Sequence, residues 1–202
     1  STMYKSIEDL LSKAQSAQSD STFASDLEEA QGYLEDDKLD AASGKLDSLE
    51  QDSSLTDEQR KQVEDMKNKL QSAKDSAQQQ QENEQKKSER RQEFSSEMDE
   101  LESDDLKISS AANAEDELAM TASSFEQWDE LLSEMYDYLA GVLNADQYAS
   151  EEENYKQWVA ERDSGAENAA SATEDSTQKQ LASYSFKQSY TKARCYKLLD
   201  MM

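Results

Sequence analysis

The 202-residue chain has no proline, no histidine, four glycines and one cysteine. Proline averages about 5% of residues, which would give about ten here. Its absence favours long uninterrupted helices. So little Gly and Pro leaves no material for the tight turns of a β-sandwich or barrel, and without a Gly-rich loop no Rossmann or P-loop site can be argued. Without histidine there is no Ser-His-Asp triad, no His-bound metal and no imidazole proton shuttle. We therefore expect no enzyme, no cofactor and no metal site. A single Cys excludes an intramolecular disulfide and leaves the redox compartment open.

Bases are also scarce, with 21 Lys and Arg against 46 Asp and Glu and a net charge of -25. This charge opposes nucleic acid and anionic lipid and favours a cationic protein partner. No apolar run approaches the roughly 18 residues of a membrane span, and no basic-then-apolar leader opens the sequence. The chain as it stands is expected to be soluble. The opening Ser1-Thr2-Met3 reads as an added remnant, and a native anchor removed ahead of it would leave no trace.

The apolar residues recur at helical spacing. Ile7, Leu10, Leu11 and Ala14, then Phe23, Leu27, Ala30 and Leu34, then Leu39, Ala42, Leu46 and Leu49 predict three short helices. Their separators are Ser19-Asp20-Ser21 and Glu35-Asp36-Asp37, read as helix starts because short oxygen-bearing side chains cap free N–H groups. Thr56-Asp57-Glu58-Gln59 has the form of a capping box and predicts the start of a long helix. Residues 78 to 92 lack any large apolar side chain, so burial cannot hold them, yet their Gln, Glu, Lys and Arg are good helix formers. A solvated helical spacer is expected in preference to the alternative, a flexible linker. Phe125, Trp128, Leu131, Leu132, Met135, Tyr136, Leu139, Val142 and Leu143 then form the clearest apolar stripe. Asp146 is read as the cap of the next helix, which carries Tyr148, Tyr155, Trp158 and Val159. Residues 171 to 177 read as a loop before one or two closing helices. The expected organisation is all-α: a helical-hairpin module over 1–77, a spacer over 78–109 and a small bundle over 110–202.

Most polar clusters have an ordinary explanation. Glu35-Asp36-Asp37 lacks the alternating ligands and central Gly of a calcium loop. Lys86, Lys87, Arg90 and Arg91 are interspersed with Glu82, Glu84 and Glu89, as in a paired helix surface. Cys195 lacks a His partner and shares a helical face with Thr191, Leu198 and Met202, as a small buried residue would. The 48 residues between Lys107 and Lys156 contain 12 acids and no base. Glu126, Asp129, Glu130, Glu134 and Asp137, followed by Glu151, Glu152 and Glu153, are therefore the candidate partner-binding residues, since a one-sign field speeds encounter with an oppositely charged protein. Trp158 and Arg162 are four apart and can stack. With Asp163, Thr191 and Arg194 they form a candidate structural network, in which Arg194 is expected to reach Asp163 across the bundle, the alternative being direct contact with a ligand.

Two resemblances follow from these residues. Leu34 to Leu49 has the small-residue rhythm of a helical hairpin and resembles a tetratricopeptide unit, without the full repeat signature. Phe125 to Leu199 resembles the lysozyme inhibitor LprI family in an apolar helix with Tyr136 and Leu139, then Gln157-Trp158, Arg162-Asp163, Ser176-Thr177, and Thr191 with Arg194 before Leu198. Many members clamp this unit with paired cysteines, where this chain has Cys195 alone. The resemblance implies a secreted or lipid-anchored protein of the bacterial cell envelope that binds and blocks lysozyme, a basic muramidase. On that reading the acidic surface steers the enzyme in, and the 171–177 loop, with Ser176 and Thr177, enters the cleft. The rival readings are a non-inhibitory surface adaptor and a sensor ectodomain.

Overall fold

A computed structural model describes residues 2–202. Six helices account for the fold: α1 (Thr2–Glu35), α2 (Leu39–Glu50), α3 (Asp57–Ile108), α4 (Ala114–Val142), α5 (Ala145–Ala170) and α6 (Ser176–Met201). Among the described residues there is no strand, and no helix is long and apolar enough to cross a membrane. The chain divides into two compact units, Ser1–Glu84 and Gln85–Met202, so α3 contributes to both.

In the first unit the predicted pair of helices before Glu35 is a single one. Ser19-Asp20-Ser21 lies inside α1, because capping residues end a helix only where the chain must turn, and without Pro or Gly nothing forces a turn here. Glu35-Asp36-Asp37 ends α1 rather than starting α2. Asp37 takes a left-handed φ of 59°, which Asp tolerates better than most residues. Its neighbour Lys38 then donates its backbone N–H to the Tyr33 carbonyl at 2.8 Å, closing the helix end. Thr56 and Gln59 exchange both bonds of a capping box, at 3.2 and 2.9 Å. The unit closes around Phe23, Ala30, Leu46, Leu49, Val63, Met66 and Leu70. Earlier on α1, Tyr4, Ile7, Leu10 and Leu11 remain exposed.

The second unit begins earlier than the predicted bundle. Residues 78–92 are helical, but Phe94 and Met98 of α3 are fully buried in the same core as Trp128, Leu132, Met135, Leu139, Trp158, Cys195 and Leu198. The stretch predicted as spacer over 78–109 is therefore partly core, since Phe94, Met98 and Leu101 repeat at helical spacing and find α4 and α6 to bury against. The cap of α5 is Asn144, not Asp146. Its side chain accepts from the Gln147 N–H at 2.9 Å while Gln147 returns a bond to the Asn144 N–H at 3.2 Å. Asp146 sits in the first turn, where its charge suits the helix dipole. The α5–α6 loop is also shorter than predicted, residues 171–175 only. Asp175 caps α6, and Ser176 and Thr177 form its first turn.

Candidate functional site

The bundle of the second unit is tied together by polar contacts that radiate from three cations on α5 and α6. Arg194, only 6% exposed, pairs with Glu151, itself 7% exposed. Its Nε also donates to the Tyr136 hydroxyl at 2.8 Å, and that hydroxyl donates to Glu151 at 3.0 Å. Burial is the main cause that pushes the Tyr136 pKa up, against the pull of Arg194. A buried charge is tolerated only when it is paired and hydrogen-bonded, and here α4, α5 and α6 each supply one member. Asn154 adds a further donor to Glu151 at 3.3 Å.

Arg162 is the second cation. It bonds Asp129 of α4 at 2.7 Å and Asp163 at 3.1 Å, while its guanidinium lies 5.1 Å from the Trp158 ring centre and 5.4 Å from that of Phe125. Lys192 is the third, 2.8 Å from Glu102 and 3.6 Å from Asp105 on α3. Asp105 also accepts from the Ser124 hydroxyl and, at 3.1 Å, from the Trp128 indole N–H, while Gln188 donates to Ser124 at 2.8 Å. Each cation thus ties helices that are distant in sequence.

These contacts change the role of several predicted residues. Arg194 pairs with Glu151 and not with Asp163, because Asp163 is already held by its neighbour Arg162. Thr191 is fully buried and its hydroxyl has no partner, so it makes no network contact. Glu151 is buried and cannot meet a partner protein. Asp129 is held by Arg162, and Glu134 lies 3.4 Å from Arg90. Glu126, Glu130 and Asp137 are exposed on α4 without a cation among the described residues. Glu152 and Glu153 are exposed and loosely matched by Lys156 at 3.9 and 4.0 Å. On α3, Glu97 has its pKa raised by burial and then by the Glu134 carboxylate, with Glu93 and Glu100 adding to the crowding. Cys195 is fully buried, and burial pushes its thiol up to about 12.

The sequence reading missed the Asp105 hub and the Glu151–Arg194 pair. A signal for the second was present: 48 residues with 12 acids and no base must borrow cations from elsewhere, and Arg162 and Arg194 reach Asp129 and Glu151 within that stretch, whereas the Lys192 partners Glu102 and Asp105 lie before it. A third feature lies between α5 and α6. Tyr155, Trp158, Tyr190 and Phe186 stack in a row, with adjacent ring centres 5.8, 5.7 and 5.4 Å apart. Beside this row runs a groove of about 400 Å³ lined by Asn154, Gln157, Trp158, Glu161, Tyr190, Ala193, Arg194 and Lys197.

The fold and its surface define an all-helical acidic protein with no metal-holding cluster among the described residues. Compared with protein-family models, with curated proteins and with solved structures, the chain matches none.

Proposed function

We propose that this chain is a cell-envelope protein that binds a basic protein, and that it inhibits a basic lysozyme. The observation that carries the reading is the outer side of α4, where Glu126, Glu130 and Asp137 are exposed and unmatched within a stretch that contains no base at all. Such a surface accelerates encounter with a cationic partner, and the acceleration falls as salt rises. Asp129, Glu134 and Glu151 leave the steering set, because arginines already hold them. At the loop, the fully exposed Glu174, 3.7 Å from Lys179, joins Ser176 and Thr177 of the first turn of α6 as groups presented to a cleft.

The test is a turbidity assay of muramidase activity with equimolar chain at two salt concentrations. Inhibition is expected at low salt and is expected to weaken at high salt. Converting Glu126, Glu130 and Asp137 together to Lys should slow association and abolish inhibition while helix content by circular dichroism stays unchanged. Full activity of the muramidase at low salt, or inhibition indifferent to salt and to the triple variant, would overturn the proposal. The surface-adaptor reading is favoured by one separate observation, the exposed Tyr4, Ile7, Leu10 and Leu11 on α1, since contiguous apolar surface of this kind marks interaction sites. Capture of a basic protein without loss of its activity would decide for the adaptor.

A further inference from the structure

We infer that the groove between α5 and α6 is a binding site for a small carboxylate. Its α6 wall presents Arg194 and Lys197, three apart and therefore on one helical face. Arg194 uses Nε on Tyr136 and Nη2 on Glu151, which leaves Nη1 without a partner among the described residues. Thr191 Oγ1 is the one fully buried side-chain polar atom without a partner among the described residues, so Arg194 Nη1 is open to the groove that it lines. Lys197 is exposed and has no carboxylate, hydrogen-bond or ring partner among the described residues. Of the seven bases in residues 110–202, Lys156, Lys179, Lys192, Arg162 and Arg194 pair with acids, and Lys187 lies 5.8 Å from the Phe125 ring centre. Lys197 alone is left, in a chain with acids in large excess.

The opposite wall belongs to α5 and carries acceptors. Asn154 and Gln157 commit their amide nitrogens to Glu151 and Glu161, so their carbonyl oxygens stand free, and Glu161 already receives Gln157 and the Tyr190 hydroxyl at 2.9 and 3.0 Å. Cationic donors on one side and amide carbonyls on the other suit a ligand with a carboxylate at one end and N–H or O–H groups behind it. The ring row supplies rigidity rather than a stacking platform, because Trp158 is flanked on both sides by Tyr155 and Tyr190. The volume lies in the range of small-molecule sites. The net charge of the chain selects for small ligands, since an anionic polymer would meet the surrounding carboxylates along its length.

The whole chain, labelled with 15N, would be titrated with succinate, glycylglycine, glycinamide and inorganic phosphate. The signals followed would be the Ala193 and Lys197 backbone amides and the Trp158 indole N–H. Glycylglycine, whose N–H groups can meet the amide carbonyls, should move these signals saturably and bind more tightly than succinate, which sets a second carboxylate there, and glycinamide should not. Lys197→Ala should weaken that binding at least about tenfold, a 1.4 kcal/mol effect, with the dispersion of the spectrum unchanged. The inference is overturned if the carboxylates cause no saturable shift at these positions. It is equally overturned if glycinamide or phosphate binds as tightly, or if Lys197→Ala binds like the parent chain. None of these results bears on the muramidase assay.

Discussion

Single residues carry most of the specificity of the second unit. The Glu151–Arg194 pair is buried among α4, α5 and α6, so removing one charge strands the other in a medium that solvates it poorly. Glu151→Gln is expected to destabilise the unit by about 3–5 kcal/mol in denaturant unfolding, whereas replacing both partners by Leu and Met should recover much of the loss. A double loss equal to the sum of the two single losses would mean that the pair is not coupled. Cys195 gives a second, pH-dependent expectation. An unfolded thiol titrates near about 8.5, while burial holds the folded one at about 12. Between those values the native state binds more protons than the unfolded chain, so stability is fully present below the lower value and declines as pH rises toward the upper one. Tyr196, raised to about 12 by its bond to Glu102, acts in the same direction. The native thiol should therefore resist iodoacetamide at about pH 8 and react only once the chain is unfolded, and the denaturant midpoint should fall steadily on going alkaline.

At the level of elements, helix identity was legible wherever an apolar period of 3.6 ran without interruption, as from Phe125 to Leu143, because such a stripe has one way to bury itself. The capping box at Thr56 was legible for a local reason, since both bonds lie within four residues. Boundaries were less so. Ser19-Asp20-Ser21 has capping chemistry but lies within a helix, and Asp146 lost the cap to Asn144, whose partner Gln147 sits at the right spacing. The base-free stretch showed that cations must come from elsewhere, but the identity of each cross-bundle pair was not legible, because which acid meets Arg194 depends on how α5 packs on α6 and not on spacing. That packing has its own sequence signature in the small residues around Gly165. A Cβ added there would lie 2.2 Å from Cζ of Phe186, so only Gly admits the ring. Gly165→Ala should cost about 1–3 kcal/mol by overpacking, and trimming the ring with Phe186→Leu should offset part of that cost in a double-mutant cycle. Additive effects would show that the two sites do not touch.

On the scale of the whole molecule, each unit closes its own apolar core, and the acids are distributed over both. Residues 110–202 hold 18 acids and 7 bases, and the first 109 residues hold 28 and 14, so neither half can serve as a basic counterpart to the other. The cationic partner proposed above would therefore come from outside the chain, which makes ionic strength the most informative variable in a test of that proposal.

Both indoles of the chain, Trp128 and Trp158, lie in the core of the second unit. Intrinsic emission excited at the red edge is thus a built-in reporter of that unit alone, whereas ellipticity sums over all six rods. Heating should displace the two curves from one another, the ellipticity beginning to fall while the indoles are still shielded, because among the described residues the core of the first unit buries a single aromatic, Phe23, with Tyr33 half-buried against it. Superimposed curves would mean that the entire chain melts as a single cooperative block.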